Sequence, residues 1–306
     1  MRILITGGAG FIGSHLARHF QGKAEVVVLD NFRTGDRRNL DGLDCNLIEA
    51  SILDQARVAE AMKGVDQVFH LAALVSVPES VSNPTETKQL NVQGTLTILE
   101  AAVRGGVQKV VLASSAAIYG NNPVVPKCET MTPEPQSPYA STKLSGEQLL
   151  ETFHQRHALS TTSLRFFNVF GPRQNPQSAY AAAVPIFITQ ALQGKPLVIF
   201  GDGTQTRDFI YVQDITQALA YVAERESVIG TYNVGHGQGL SILSLAEKII
   251  ALTGSKSSIE YRPGRAGDVK DSVASPEKLQ SVGWKASVSF DQALSETIRY
   301  FKSVTA

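Results

Sequence analysis

The sequence predicts an α/β fold: a doubly wound parallel sheet with a smaller α/β carboxyl-terminal substrate domain. Two observations lead there. Short, strongly apolar runs recur, namely RILIT, EVVVLD, QVFHLAA, KVVLASS and TTSLRFF, and strands buried on both faces read this way. Amphipathic stretches lie between them, SHLARHFQ, QARVAEAMKG and VQGTLTILEAAVRGG, with Gly64 and Gly105 placed to end helices. Alternating β and α argues for helices on both faces of a parallel sheet. After Asn168–Gln174 the rhythm loosens, and Pro172, Pro176 and Pro185 interrupt it. The expected division is 1–170 for the first domain and 171–306 for the second, with some later segments able to return to the first.

Composition sets the class. The chain has 306 residues, 43% of them hydrophobic, enough to bury a sizeable core. Lys plus Arg balances Asp plus Glu at 28 each, so nothing steers it toward nucleic acid or an anionic membrane. The opening MRILITGGAG lacks the apolar run of a signal peptide, and no long apolar stretch follows. Cys45 and Cys128 are the only cysteines, too few for a disulfide framework or a zinc site, so no metal is expected. A soluble cytoplasmic protein is the expectation.

The first motif is ILITGGAGFIGSHL, with Gly7, Gly10 and Gly13 between a strand and a helix. Glycines let the backbone approach a pyrophosphate, and the helix N-terminus offers N–H groups to the anion. The next strand ends in Asp30, 17 residues beyond Gly13, near the spacing of a ribose-binding carboxylate. Together they predict a dinucleotide site. Asp30 favours NAD over NADP, because a carboxylate repels a 2′-phosphate. Arg33 nearby weakens that preference.

In SPYASTKLSGEQ, Pro138 suits a first helical turn, and Tyr139 and Lys143 share one helical face. They read either as exposed side chains at helix spacing or as a proton-handling pair. In the second case a neighbouring cation lowers the tyrosine pKa and makes the phenolate accessible. KVVLASS brings Ser114 and Ser115 to the carboxyl end of a buried strand, where open α/β sheets bind ligands.

The glycine loop, HLAA (residues 70–73), Asn91 in LNVQGT, SSAAIYG, the Tyr139/Lys143 pair and RFFNVFGPRQ occur in this order. With them the chain resembles the extended short-chain dehydrogenase/reductase superfamily over essentially its whole length. The resemblance implies a Rossmann domain plus a small carboxyl-terminal domain, and a homodimer formed through two helices per subunit. It implies Tyr139 as base, Lys143 orienting the nicotinamide ribose, and Ser115 completing the catalytic set. Cofactor contacts carry over to Gly7, Gly10, Phe11, Ile12, Gly13, Asp30 and Asn31. They also carry over to Ser51, Ile52, Leu71, Ala72, Ala73 and Asn91, beside Tyr139 and Lys143. Ser51 stands where many relatives have an acid against adenine.

The second half resembles the UDP-hexose 4-epimerases of that superfamily. LVIFGDGTQTRDFIYVQDI supplies Phe200, matched to a residue stacking on uracil, and Arg207, matched to a diphosphate ligand. YRPGRAGDVKDS supplies Arg265 for the diphosphate, Asp268 for the uridine ribose and Ser272 beside the sugar C2 substituent. Asn168, Ser76 and Val184 complete the implied substrate contacts, with Ser115. Two arginines suit a pyrophosphate clamp. Ala116 and Ala117 follow Ser115 where related 4,6-dehydratases carry Asp-Glu, and methyl groups cannot eliminate water. The expected reaction is NAD-dependent C4 epimerisation of a UDP-hexose through a transient 4-keto sugar. A small Ser272 and the Ala179–Pro185 stretch extend the substrates to UDP-GlcNAc/UDP-GalNAc beside UDP-Glc/UDP-Gal, while Val75 narrows the pocket. A 4-ketoreductase that exchanges its cofactor and a non-catalytic NAD-binding regulator are the rival readings.

Overall fold

The computed structural model of the chain describes residues 1–176, 182–264 and 269–305. The apolar runs become the expected strands. β1 (Arg2–Thr6), α1 (Phe11–His19), β2 (Glu25–Asp30), β3 (Asn46–Glu49), α2 (Gln55–Ala61) and β4 (Gln67–His70) open the chain. Then come two short helices, α3 (Val77–Ser82) and α4 (Pro84–Lys88), a single π turn at Gln89–Gln93, and α5 (Gly94–Gly105). β5 (Lys109–Ser115), the 20-residue α6 (Pro138–His157) and β6 (Ser160–Phe166) follow. The left-handed residue that closes α5 is Gly106, with φ 71°, one position past the glycine expected to do so.

Neighbouring residues of each strand enter different cores, because successive side chains point to opposite faces. Ile3, Ile5, Val26, Val28, Phe69 and Val111 join one cluster. Leu4, Val27, Leu29, Val68, Val110 and Leu112 join the other, with Val58, Ile98, Leu99 and Leu150 from the covering helices. This two-sided burial is why the strands read as continuous apolar runs rather than alternating ones.

Beyond Phe166 the chain moves back and forth. β7 (Asn168–Phe170), α7 (Ala183–Leu192), β8 (Leu197–Phe200), β9 (Thr206–Arg207) and β10 (Phe209–Tyr211) build the second region. α8 (Val212–Ala223) then returns, packing Ile215, Ala218, Leu219 and Val222 into the first core, and β11 (Gly230–Val234) pairs with β6. β12 (Leu240–Ser241), α9 (Ile242–Thr253), β13 (Ile259–Arg262), β14 (Asp271–Ser272), α10 (Glu277–Ser281) and α11 (Phe290–Thr305) finish the chain. A third core binds α7, α9 and α11 through Phe187, Ile188, Leu245, Ile249, Leu294 and Ile298. Residues 212–234 thus lie with the first layer although they follow residue 170 in sequence.

The large sheet has seven parallel strands in the order β3-β2-β1-β4-β5-β6-β11. From β1 the order runs outward in both directions, so the crevice at the carboxyl ends of β1 and β4 is the switch point where open α/β sheets take ligands. Thr6 and His70 end those two strands.

Candidate active site

The glycine loop leaves β1 and enters α1 over this crevice. A Cβ on Gly13 would stand 2.2 Å from the Gly7 carbonyl oxygen, so only glycine lets the helix approach the loop so closely. Gly7 is left-handed (φ 71°), and a Cβ there would meet the Ala72 nitrogen at 2.9 Å. No side chain caps α1 at Gly10, and no acid lies in its first turn, which leaves the positive end of the helix dipole to a ligand. Phe11 and Ile12 form that first turn. Asp30 ends β2 and ties the loop down. One carboxylate oxygen accepts from the Ala9 N–H at 2.9 Å and the other from the Phe32 N–H at 2.8 Å. Burial pushes the Asp30 carboxyl up, and these backbone donors oppose the push. A cradle without Cβ atoms, an uncapped helix start and a carboxylate at the next strand end fit a dinucleotide.

The flank of the crevice is braced from below. His70 is buried and held at about 3, because burial and the nearby Lys143 charge disfavour its protonation. Thr6 Oγ1 accepts from the Ala72 N–H and lies 2.7 Å from His70 Nδ1, to which it donates because the neutral ring carries its proton on Nε2. Thr95 Oγ1 gives its proton to the Asn91 carbonyl at 2.6 Å and therefore accepts from His70 Nε2 at 2.9 Å. The imidazole is a neutral strut between β1 and α5. Asn91 Oδ1 accepts from the Leu74 N–H at 2.7 Å, and its Nδ2 donates to the Leu74 carbonyl and to Thr142, both at 3.0 Å. The segment Leu71–Ala73, half-buried, is thereby fixed against α6.

α6 brings Tyr139, Lys143 and Glu147 to one face, four residues apart. Ser137 caps the helix by accepting from the Ala140 N–H at 3.1 Å, and Pro138 stands at its first turn, as expected. The Ser115 hydroxyl accepts from the Ala117 N–H at 3.2 Å and stands close enough to the Tyr139 phenol to pull its pKa down. Lys143 Nζ lies 5.8 Å from the Tyr139 ring centroid and donates to the Ala113 carbonyl at 2.8 Å. Ser115, Tyr139 and Lys143 therefore meet, and Ala116 and Ala117 sit half-buried beside them.

The electrostatics depart from the sequence expectation. Tyr139 lies above an ordinary phenol, because burial outweighs the Ser115 hydrogen bond. Lys143 does not draw it down, since its own ammonium is desolvated to about 8, with Glu147 opposing that shift.

The second half places its predicted residues unevenly. Arg207 and Ser272 are register partners in the small β12-β9-β14 sheet, and the Ser272 carbonyl accepts from the Asp208 N–H at 2.8 Å. Arg207 Nη1 donates to the Thr206 carbonyl at 2.8 Å. Phe200 ends β8, half-buried. Asn168 Nδ2 donates to the Asp208 carbonyl at 3.2 Å. Ser76 caps α3, accepting from the Glu79 N–H at 3.1 Å. Val184 is fully buried in the third core, so its side chain packs rather than faces a ligand. Ile52 packs inward on Gly94 for the same reason, and Ser51 Oγ accepts from the Leu53 N–H at 3.2 Å. Asn31 Oδ1 accepts from the Arg33 N–H at 3.2 Å. Arg265, Asp268 and Ala179–Ala181 lie outside the described residues.

Three supporting groups escaped sequence reasoning. Glu147 and Arg165 form a buried bidentate pair, at 2.9 Å through Nε and 2.7 Å through Nη2, and Glu147 also accepts from the Ser114 hydroxyl at 2.6 Å. Glu147 was within reach of the spacing argument, one turn beyond Lys143. Asp208 is fully buried and accepts from the N–H groups of His236, Gly237 and Ala274 at 2.8–3.0 Å, tying together two late loops beside β9.

Residues 3–235 match the model of the NAD dependent epimerase/dehydratase family. The chain belongs to that family. Among solved epimerase/dehydratase structures it is similar to the UDP-N-acetylglucosamine 4-epimerase of Methanobrevibacter ruminantium in complex with UDP-N-acetylmuramic acid. The two share 39% identity and a TM-score of 0.96, covering 99% of this chain and 98% of the other. It resembles the UDP-glucose 4-epimerase of Thermotoga maritima with UDP-glucose at 37% identity and TM-score 0.95, over 100% of both chains. The Thermus thermophilus UDP-glucose 4-epimerase complex with NAD matches at 37% identity and TM-score 0.92, over 99% of each chain.

Proposed function

We propose that this chain is an NAD-dependent UDP-hexose 4-epimerase, acting on UDP-Glc/UDP-Gal and on their N-acetylated counterparts. The observation that carries the reading is the meeting of Ser115, Tyr139 and Lys143, with Ala116 and Ala117 standing where an elimination would need acid and base. Relatives solved with UDP-sugars and with NAD support it.

Tyr139 takes the proton of the sugar C4 hydroxyl, with Ser115 bridging phenol and substrate. NAD held in the crevice would supply the hydride acceptor, and then the donor, for passage through the 4-keto sugar. The positive charge of an oxidised nicotinamide, were it bound near the phenol, would oppose the burial that raises Tyr139. Lys143 holds the nicotinamide ribose and keeps the phenol oriented. Arg207 and Phe200 keep the nucleotide end in place while the sugar turns, with Arg265 and Asp268 as further ligands by resemblance. Cofactor contacts are assigned to the glycine loop, Asp30, Asn31, Ser51, the main chain at Ile52, Leu71–Ala73 and Asn91. The working unit is read as a cytoplasmic homodimer, as the resemblance to the superfamily implies.

The decisive experiment incubates the purified chain separately with UDP-Glc, UDP-GlcNAc and UDP-GlcA and identifies products by NMR. C4 epimers of the first two are expected. A reduced or oxidised sugar formed in stoichiometry with added cofactor would instead mean an exchanging oxidoreductase. Ser272→Tyr tests the sugar gate. An overpacked contact costs about 1–3 kcal/mol. That predicts a roughly five- to hundredfold fall in kcat/KM for UDP-GlcNAc, with UDP-Glc much less affected. Equal slowing of both substrates would remove Ser272 from the gate.

A further inference from the structure

Arg33 follows Asp30 by three residues, in the loop that receives the adenosine end of a dinucleotide at this switch point. A cation there is what a 2′-phosphate requires, and nicotinamide sites that take the phosphorylated cofactor place an arginine nearby for it. Here the guanidinium is already engaged. Its Nη2 lies 2.8 Å from the Glu79 carboxylate and 3.1 Å from Glu86, and its Nη1 pairs with Glu86 as well. Glu79 belongs to α3 and Glu86 to α4, so two successive helices hold one side chain. The backbone is committed too. Phe32 is left-handed, with φ 56°, and the Arg33 N–H donates to the Asn31 side chain.

We propose that Glu79 and Glu86 are specificity-determining residues, which hold Arg33 and thereby deny a 2′-phosphate its cation. The cluster of Arg33, Glu79 and Glu86 carries a net charge of −1, and Asp30 adds a second negative charge at the strand end. A 2′-phosphate must displace two carboxylates from one guanidinium and still face Asp30, whereas a ribose 2′-hydroxyl meets only the carboxylate that accepts its hydrogen bond. The preference for NAD over NADP rests on Asp30 and on this restraint together. The proposal rests on reading the crevice as a dinucleotide site.

The test measures NAD and NADP affinities by calorimetry on the full-length chain exchanged into cofactor-free buffer, at fixed ionic strength. All three side chains are partly exposed, at 31–43%, so Glu79→Gln/Glu86→Gln leaves the core untouched. The double variant is expected to bind NADP about tenfold or more tightly than wild type, the range of a charge-assisted hydrogen bond, with NAD affinity little changed. Adding Arg33→Ala should abolish that gain. A NADP-to-NAD ratio unchanged in the double variant would overturn the inference, and so would a gain that survives Arg33→Ala. A wild type that binds neither nucleotide would overturn the cofactor reading itself, an outcome distinct from these two.

Discussion

Tyr139 is pulled in two directions. The residue is half-buried, and desolvation raises its pKa while the nearby Ser115 hydroxyl lowers it. Spacing on α6 brought Lys143 to the same face, but Lys143 is itself desolvated to about 8 and turned to the Ala113 carbonyl. The proton-handling chemistry therefore depends on what binds beside the pair. If Tyr139 is the proton carrier, Tyr139→Phe removes one oxygen atom from a residue whose ring stays packed. Turnover should fall by roughly 10²- to 10⁴-fold, the usual contribution of a positioned acid–base group. UDP-sugar affinity, measured by calorimetry, should remain near wild type. A variant that keeps most of its rate would exclude Tyr139 from the mechanism.

Between elements, the buried pair Glu147–Arg165 joins α6 to β6. Side-chain exposures are 7% and 5%. Arg165 reaches on to the Tyr119 hydroxyl at 2.9 Å, and Tyr119 to Asn233 on β11 at 2.7 Å. Four elements around the catalytic strand end are thus held by one polar chain, fully hydrogen-bonded where it is buried. Removing one partner leaves a buried charge uncompensated, which costs about 3–5 kcal/mol, whereas replacing both by apolar groups can be nearly neutral. Glu147→Leu and Arg165→Met should each lower the urea midpoint strongly, and the double variant should lose less than the sum. Additive losses would show that the two side chains act independently.

At the scale of the molecule, the buried His70 and the half-buried His15 couple stability to pH. His70 is held at about 3 and His15 at about 4, both mainly by burial, below the ordinary value of 6.5. A depressed folded-state pKa means that the unfolded chain binds more protons between the two values. Stability from these groups is full above about 6.5 and is lost as pH falls toward 4 for His15 and toward 3 for His70. Asp30 and Asp208, raised by burial, act in the opposite sense over the carboxylate range. The contribution of His70 is therefore read as a difference. His70→Gln should unfold in urea with a shallower decline between pH 7 and pH 4 than wild type, and identical slopes would assign the acid sensitivity elsewhere.

The sheet, the glycine loop, Asp30 and the Ser115/Tyr139/Lys143 set were legible in the sequence, because each obeys a local rule. Two-sided burial writes apolar runs, a tight approach of helix to loop writes glycine, and one helical face writes a spacing of four. What tertiary structure alone decided is which distant groups meet. The chain's return through α8 and β11 had no local mark. Nothing near Asp208 shows that it gathers the loop at 236–237 and the one at 274, and Val184 reads as a pocket residue until the third core closes over it. Arg33 illustrates the same division. Its position beside Asp30 is a fact of sequence, but its capture by Glu79 and Glu86, 46 and 53 residues away, depends on where α3 and α4 lie. Spacing constrains neighbours along an element, while the charge a side chain presents to a ligand is set by partners that only the closed fold supplies.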